Sequence, residues 1–374
     1  MKVCHLTSVH GWSDTRIFYK ECVSLSDAVY DVHLVAPNSP EREVDGVQVH
    51  SVTNNSSSRI YRATVVAWKV LRKALSTKSE LYHFHDPELI WVGLILRLRG
   101  YKVIFDIHEN IKGQMLVKEW LPLRKFISQL FRIFEWLAAK SFYLILAEAS
   151  YAKIYEGMTS DYIVVQNMPD HERLSEFRDN QRSDHSENGI FYIGAVTEIR
   201  GIDEIMQALD MLQKQKIDFT FKCVGPVDAK FMEELRKKPY FRSIEDRVHF
   251  YGRMSIVDAY KLSKDCKIGV SILYPTENYL ESYSTKVFEY MSVGLIPVVS
   301  DFRIYDFLRE HKAGILVDPK SAESISEAFS SILTGNHNAR DLASNSISIA
   351  IEKFSWSNEK KKMLDYYHSI LNNS

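Results

Sequence analysis

Short runs of β-branched and aromatic residues alternate with longer amphipathic stretches along most of the chain. Two of the amphipathic stretches, residues 63–75 and 87–98, place apolar side chains at helical spacing. Such alternation is typical of βαβ units that build a parallel sheet. In the first half of the chain, the apolar runs predict strands at Lys2–Val9, Val32–Ala36, Val47–Val52, Leu81–His85, Val103–His108, Tyr143–Ala147 and Tyr162–Gln166.

A polar stretch at residues 170–189 interrupts the alternation and is typical of a linker. The last segment, Trp356–Leu371, is predicted to be helical and has no strand after it, so we expect it to pack back on the first domain. Between these two segments the pattern predicts strands at Ile190–Val196, Phe219–Val224, Val248–Tyr251, Ile268–Leu273, Ile296–Ser300 and Ile315–Val317.

The two sets of βα units predict an α/β fold with two doubly wound sheets. We assign residues 1–168 to an N-terminal domain, 169–353 to a C-terminal domain and 354–374 to the returning helix. Ligands of such sheets bind outside the carboxyl ends of the strands. We therefore expect the binding site in a cleft between the two domains.

Composition excludes several classes of protein. The 374 residues include 47 Lys and Arg against 48 Asp and Glu, a net charge of −1, which excludes a uniformly basic nucleic-acid binder and a disordered acidic chain. No apolar run approaches the ~20 residues that span a bilayer, and Met1 leads directly into a strand-like run, so we expect a cytoplasmic protein. Four widely separated cysteines suggest neither disulfides nor a zinc site.

Basic residues are concentrated in one region. Residues 59–153 contain 16 Lys and Arg but only 8 Asp and Glu, a net charge of +8. Within this region, residues 112–140 mix basic side chains such as Arg124 and Arg132 with Trp120 and Phe126. This mixture fits a helix on an anionic membrane, and it equally fits a helix that covers the core.

The strongest chemical signal is Glu281–Tyr290, where two carboxylates eight positions apart flank a hydroxyl-rich turn that opens a helix. A helix N-terminus together with Lys286 suits a phosphate group. Glu289 follows one turn later on the same face, where it is placed to accept hydrogen bonds from sugar hydroxyls. The same spacing also fits an exposed Lys–Glu pair on a surface helix, and spacing alone does not separate these interpretations.

A second candidate is the loop Gly194–Gly201, which follows a predicted strand and precedes a helix. Its two glycines allow an anion to approach the backbone, and Arg200 supplies a forked donor. The loop matches neither the dinucleotide glycine fingerprint nor the P-loop, so it is weak evidence by itself.

Histidines are frequent in the first domain, where acidic neighbours raise the question of a metal site. No pair has the i,i+4 spacing of a helical metal motif, and several alternate along buried strands, so the pattern favours core histidines and we expect no metal. His108 differs because it ends its strand, where functional residues of such sheets gather. The histidines concerned are His5, His10, His83, His85 and His108.

The loop after the first strand contains Gly11, which permits close backbone approach, and Asp14, which can cap the next helix.

Taken together, these segments resemble a retaining family-4 glycosyltransferase of the GT-B fold, a group common in bacterial polysaccharide assembly. The most specific element is Glu281–Glu289, which corresponds to the family's paired glutamates and continues into a run ending at Ser300. The resemblance covers nearly the whole chain and implies two Rossmann-like domains facing across a cleft. Supporting segments are His83–Leu89, Phe105–Glu109, Tyr192–Gly201 and Phe354–Trp356.

The resemblance implies that the C-terminal domain binds a UDP or GDP sugar. Arg200 and Lys286 would hold the diphosphate, and Glu289 the ribose. Glu281 would bind hydroxyls of the donor sugar, and His108 would reach the donor from the other domain. The catalytic residues would thus be His108, Arg200, Glu281 and Lys286. The other donor-binding residues it implies are Gly11, Asp14, Arg16, Gly194, Gly225, Arg253, Met254, Ser284 and Thr285.

The chain departs from the family pattern at three places. It has Ala195 where the family usually has arginine after the first glycine of the phosphate loop, and Gly11-Trp12 where two glycines are common. Residues 282–286 replace a glycine-rich stretch between the two glutamates. We expect Lys286 to compensate electrostatically for the missing arginine.

The resemblance implies sugar transfer with retention of configuration to a saccharide or undecaprenyl-linked acceptor. The sequence has no D-x-D triplet, so we expect transfer without a metal, no cofactor besides the donor and no nucleic-acid partner. Two alternatives remain open, namely a nucleotide-sugar epimerase of the same fold and a non-catalytic nucleotide-sugar-binding subunit. Both Glu281 and Glu289 are present, which argues against the second.

Overall fold

A computed structural model describes residues 1–108, 133, 135–159, 161–179, 187–335 and 338–372. It divides into a first unit, Met1–Asn167 with Trp356–Ser374, and a second unit, Met168–Ser355. Each unit is built on its own parallel-dominated sheet flanked by helices, so the predicted α/β fold with two doubly wound sheets is confirmed.

The first sheet has eight strands in the order β3-β4-β2-β1-β5-β6-β7-β8. Neighbouring strands are parallel except for the antiparallel pair of β3 and β4. The chain leaves β1 for β2 on one side and returns to β5 on the other, so β1 and β5 form the switch point of this sheet. The strands are β1 Lys2–Leu6, β2 Asp31–Pro37, β3 Arg42–Val44, β4 Val47–Val52, β5 Leu81–Phe84, β6 Lys102–Ile107, β7 Tyr143–Leu146 and β8 Tyr162–Val164.

Helical segments cover both faces of the first sheet. The regular helices before the linker are α1 Val23–Asp27, α2 Arg59–Tyr61, α3 Ala67–Thr77, α4 Ile90–Leu98 and α5 Ala152–Tyr155. Wider turns at Thr15–Cys22 and Arg62–Val66 lead into α1 and α3, and residues 135–141 are also helical. Tighter turns lie at Pro87–Leu89 and Ala149–Tyr151.

The second sheet has six parallel strands in the order β11-β10-β9-β12-β13-β14, with its switch point between β9 and β12. Its strands are β9 Gly189–Ile193, β10 Thr220–Val224, β11 Val248–Gly252, β12 Cys266–Ser271, β13 Ile296–Ser300 and β14 Ile315–Val317. The helices are α6 Ile202–Lys214, α7 Ala229–Lys237, α8 Pro239–Arg242, α9 Ile256–Lys261, α10 Glu277–Glu281, α11 Thr285–Val293, α12 Asp306–Glu310, α13 Ala322–Leu333 and α14 Ala339–Lys353. Tight turns lie at Ser175–Phe177, Glu198–Arg200, Glu245–Arg247 and Arg303–Tyr305.

The last helix, α15 Trp356–Asn372, packs on the sheet of the first unit, as predicted. Trp356, Met363 and Tyr367 are buried there beside Phe18 and Leu34. The indole N–H of Trp356 donates to Ser24 at 2.9 Å. In the parts of the chain that the structure describes, every helix is too short or too polar to cross a bilayer.

Two local expectations were wrong. The first strand ends at Leu6 rather than Val9, because the Ser8 N–H donates to the carboxylate of Asp86 instead of continuing the ladder. Strand β3 was missed because its three residues, Arg42–Val44, are exposed or half-buried and carry no apolar run.

Candidate active site

The switch point of the second sheet brings two of the predicted loops together. Gly194 follows β9, and its N–H donates to the carbonyl of Val224 at 2.8 Å. A Cβ on Gly194 would lie 2.8 Å from Nη1 of Arg200 and 3.2 Å from Nζ of Lys286. The two predicted phosphate-binding cations therefore meet at the bare backbone of this glycine, which has φ +148°.

Gly225 lets the neighbouring loop approach equally closely. A Cβ there would lie 1.9 Å from the carbonyl oxygen of Gly194, a separation that no side chain permits. Its φ of +146° also favours glycine, and its N–H donates to the carbonyl of Gly252 at 2.8 Å. The loops after β9, β10 and β11 thus lie side by side at the carboxyl edge of the sheet.

Lys286 is the most unusual residue of this edge. Its side chain is 8% exposed, and among the described residues Nζ has no hydrogen-bond partner. Nζ lies 4.4 Å above the ring of Tyr192. Burial, and then the neighbouring Arg200, lower the pKa of Lys286 to about 7. The interpretation of Lys286 and Glu289 as an exposed surface pair is therefore wrong.

A buried ammonium group beside a second cation is costly unless an anion accompanies it. Lys286 lies in the first turn of α11, where the N-terminal peptide N–H groups add a partial positive charge. Ser284 stands at the N-cap position of this helix without a side-chain capping hydrogen bond, and its N–H donates to the hydroxyl of Tyr305 at 2.8 Å. The Gly194 backbone, Arg200, Lys286 and the α11 start together have the features of a phosphate site.

Glu289 lies one turn further along α11 and is half-buried. The hydroxyl of Tyr260 donates to its Oε2 at 2.9 Å. Burial, followed by the Glu289 carboxylate, raises the pKa of Tyr260 well above its usual value, so this phenol remains a donor. Tyr260 and Tyr192 therefore belong to the surroundings of the site. Tyr192 lies in a segment that carried the resemblance but had no role assigned to it, and no spacing or motif in the sequence identified Tyr260.

The other predicted residues of the second unit lie around this edge in different settings. Glu281 is exposed at the end of α10, and Thr285 begins α11. Arg253 is exposed just after β11, whereas Met254 packs against the buried cluster that contains Tyr260.

In the first unit, His108 lies just beyond the end of β6. Its Nε2 is 2.7 Å from Oδ2 of Asp106, a carboxylate with no exposed surface. Burial would raise the pKa of Asp106, but Arg16 and then His108 lower it well below its usual value. The ionised carboxylate accepts the Nε2–H of His108 and so fixes the orientation of the imidazole ring.

Arg16 does not have the role that was expected of it. The resemblance implied a donor contact, but Arg16 is 4% exposed and its N–H groups are already engaged. Nε and Nη2 donate to the two oxygens of Asp106 at 3.0 Å, and Nη1 donates to the carbonyl of Val165 at 2.9 Å. Arg16 therefore orients Asp106, and through it His108, rather than contacting a donor.

As predicted, Asp14 in the loop after β1 caps the helical turn that follows it. Oδ1 of Asp14 accepts the N–H groups of Arg16 and Ile17 at 2.9 and 3.0 Å. Burial would raise the pKa of Asp14, but His10 and these backbone donors lower it. A Cβ on Gly11 would meet no atom within 4 Å, so this position leaves open space beside the loop.

Gly194→Ala tests the phosphate-site geometry. We expect donor affinity to fall at least about tenfold, because the methyl group would push against Arg200 and Lys286 in a backbone conformation that favours glycine. The measurement is calorimetric binding of nucleotide sugars. Gly335→Ala is the matched control, since Gly335 also has positive φ but a Cβ there meets nothing within 4 Å. Equal affinities in both variants would contradict the assignment.

Two Rossmann-like units in one chain, with a C-terminal helix that returns to the first, define the GT-B class. Solved structures of that class resemble the chain along its whole length. Sucrose-phosphate synthase from Thermosynechococcus elongatus has a TM-score of 0.77 and 15% identity, covering 100% of both chains. Anabaena HepE in complex with UDP and glucose has a TM-score of 0.73 and 15% identity, covering 99% of this chain and 100% of its own. A glycosyltransferase from Rickettsia africae ESF-5 has a TM-score of 0.75 and 13% identity, covering 100% and 99%.

Family models place the chain more narrowly. The model "Glycosyl transferases group 1" matches residues 175–348, and the model "Glycosyltransferase Family 4" matches residues 16–153. Comparison with curated protein sequences finds no match. The chain belongs to the group 1, family-4 glycosyltransferases of the GT-B fold, as the resemblance implied.

Proposed function

We propose that this glycosyltransferase takes a sugar from a nucleoside-diphosphate donor and transfers it, with retention, to a saccharide or lipid-linked saccharide. The observation that carries the proposal is Lys286, a buried cation that lacks a partner among the described residues and faces Arg200 at the Gly194 backbone. A diphosphate would supply the missing negative charge. Anabaena HepE, which has a similar fold, was solved in complex with UDP and glucose, and this supports a uridine nucleotide as the first donor to test.

In the proposed reaction the bond between the anomeric carbon and the diphosphate oxygen breaks, and negative charge grows on the diphosphate. Arg200, Lys286 and the start of α11 would stabilise that charge, so the transfer needs no metal or cofactor. The leaving phosphate would accept the proton of the acceptor hydroxyl. Glu289 would bind the ribose, and Glu281 hydroxyls of the sugar. His108 of the first unit, oriented by Asp106, would bind the donor sugar together with the Gly11 loop.

Rival activities of the same site are separable by product analysis. Incubation with nucleotide sugars alone should give only slow hydrolysis, whereas an epimerised sugar would identify the epimerase alternative. Addition of a polyprenyl-diphosphate-linked saccharide in detergent should give a lengthened product with the donor's anomeric configuration. Donor binding without hydrolysis or transfer would favour the non-catalytic subunit.

We further propose that the enzyme works in the cytoplasm at an anionic membrane, in the synthesis of a bacterial surface polysaccharide. The predicted membrane segment, residues 112–140, lies mostly outside the described residues, which include only 133 and 135–140 of it. A supporting surface is the outer face of residues 59–77, which contain five Lys and Arg and no Asp or Glu. Along this stretch Ile60 is 78% exposed and Trp68 is 52% exposed, and the exposed Arg72 follows Trp68 one turn later on α3. Basic and aromatic side chains on one helical face suit anionic headgroups.

Vesicle sedimentation tests this contact. The wild-type protein should bind vesicles containing phosphatidylglycerol, bind neutral phosphatidylcholine vesicles weakly, and be released by salt. Replacing both Ile60 and Trp68 by serine should weaken binding at least about tenfold, because two apolar side chains leave the interface. Ile351→Ser, an exposed apolar residue of α14, is the control. Salt-insensitive binding, or equal binding to both vesicle types, would remove the membrane proposal.

A further inference from the structure

The core of the first unit contains a cluster that the transfer reaction does not use. His5 and His83 lie side by side in register on β1 and β5, and His85 follows one residue after β5. Glu21 comes from the wide helical turn that precedes α1. All four side chains are buried, with at most 3% of each exposed. Three histidines and one carboxylate from different elements thus converge in the interior.

The ligand atoms of the cluster lie within 4.8 Å of one another. Oε2 of Glu21 lies 3.9 Å from Nδ1 of His5, 3.8 Å from Nδ1 of His83 and 3.9 Å from Nε2 of His85. Nδ1 of His5 and Nε2 of His85 are 3.0 Å apart. Tetrahedral Zn²⁺ with bonds of about 2.0–2.1 Å has ligand atoms about 3.3 Å apart. A water molecule bonded to four atoms at about 2.8 Å would need them about 4.6 Å apart. The spacing therefore fits a metal ion better than a water.

Glu21 is the member of the cluster whose buried carboxylate is not accounted for by hydrogen bonds. Within the described ranges, neither of its carboxylate oxygens has a hydrogen-bond partner. Nε of Arg16 is 2.9 Å from Oε1, but its N–H is directed to Asp106. Buried polar atoms are nearly always hydrogen-bonded, so a buried carboxyl group whose charged neighbour, Arg16, directs its N–H elsewhere still needs a hydrogen-bond donor or a cation. A cation between Glu21 and the imidazoles would meet that need.

The surroundings orient two of the imidazoles toward the cluster centre. Nδ1 of His85 lies 3.3 Å from the carboxylate of Asp106, and Nε2 of His5 lies 3.1 Å from the hydroxyl of Tyr367. Metal-bound histidines characteristically donate their second N–H to such outer groups. The other nitrogens of these two rings, Nδ1 of His5 and Nε2 of His85, face each other at 3.0 Å, a contact that the metal ion would replace.

We propose that His5, Glu21, His83 and His85 bind one divalent transition-metal ion of the zinc type. Four buried ligands leave no position open to a substrate, so the ion is structural and ties β1, β5 and the Glu21 turn together. The sequence predicted core histidines and no metal here, because the three elements that supply the ligands carry no motif spacing. Tyr367, 2.6 Å from Nδ1 of His83, gives up that hydrogen bond when the metal binds.

The competing arrangement is a metal-free chain of hydrogen bonds running from His83 through Tyr367, His5 and His85 to Asp106. It gives each histidine at least one hydrogen bond, but among the described residues it leaves Nε2 of His83 and both carboxylate oxygens of Glu21 without one. Glu21→Gln distinguishes the two, because glutamine resembles the protonated acid in shape but removes the anionic ligand. The metal site should be lost in this variant, whereas the hydrogen-bonded chain should tolerate it.

In the experiment, the full chain is expressed in a medium in which cobalt replaces zinc. Weakly bound metal is then removed with a chelator and by gel filtration. The wild type should carry about one Co²⁺ per chain with the intense visible bands of tetrahedral cobalt. Glu21→Gln should retain at least about tenfold less. His50→Gln, which alters the separate His33–His50 pair, should retain it all.

X-ray absorption of the wild type decides the matter even if Glu21→Gln does not fold. The proposal expects three imidazole nitrogens and one oxygen at about 2.0–2.1 Å. Cobalt below about a tenth of an ion per chain in the wild type, a different ligand set, or unchanged cobalt in Glu21→Gln would overturn the proposal.

Discussion

Lys286→Met is expected to abolish donor binding and at the same time stabilise the donor-free protein. The lysine pKa falls from 10.5 to about 7 on folding, because burial and Arg200 disfavour its charge. The buried charge destabilises the folded protein most below pH 7, where Lys286 is protonated in both the folded and the unfolded state. Between pH 7 and 10.5 this destabilisation depends on pH. Over that range only the unfolded chain is protonated, so the cost of neutralising Lys286 on folding declines as pH rises from 7 to 10.5. Methionine has a similar shape and no charge, so it avoids this cost.

Chemical unfolding at pH 6 and pH 9 measures the effect. One pKa unit corresponds to about 1.4 kcal/mol, so a shift of this size bounds the gain at about 5 kcal/mol. We expect the free energy of unfolding of Lys286→Met to exceed that of the wild type by about 2–4 kcal/mol at pH 6, and by less at pH 9. Lys261→Met, on the exposed face of α9, is the control and should change little. A less stable Lys286→Met protein at pH 6 would contradict the buried-cation account.

Arg200→Ala is expected to lower turnover at least about tenfold while the protein still folds. Removing one preorganised charged donor from a desolvated site costs about 2–4 kcal/mol in transition-state stabilisation. Arg200→Lys should recover part of the loss, because it restores the charge but not the forked geometry. Initial rates of donor hydrolysis measure this without knowledge of the acceptor.

Arg236→Ala removes an exposed arginine of α7 from the same unit and should leave the rate unchanged. Circular dichroism should show the wild-type fold for Arg200→Ala, Arg200→Lys and Arg236→Ala. Normal turnover in both Arg200→Ala and Lys286→Met would refute the diphosphate site.

The fold was largely predictable because parallel strands buried on both faces appear as continuous apolar runs. Strand ends were less predictable, since side-chain hydrogen bonds determine them, as with Ser8 and Asp86. β3 was missed because pairing with β4 rather than burial holds its polar residues in place.

The proximity of the candidate site residues was predictable where neighbouring residues form one local unit, as with Gly194–Gly201 and the start of α11. It was not predictable where partners are distant in sequence. Arg16 resembled a donor contact, yet it is held by Asp106, ninety positions away. Likewise, the spacing of Lys286 and Glu289 did not reveal which face of α11 is buried.

The most direct test of the central claim is calorimetric titration of the wild type with nucleotide sugars at pH 8 in two buffers of different ionisation heat. A thermal-shift panel of UDP, GDP and ADP sugars first selects the donor that stabilises the protein most. Because the pKa of Lys286 is about 7 without donor, binding of the diphosphate should take up close to one proton per site at pH 8. Proton uptake and binding should both be absent in Lys286→Met. Donor binding without proton uptake in the wild type, or undiminished binding by Lys286→Met, would contradict the account.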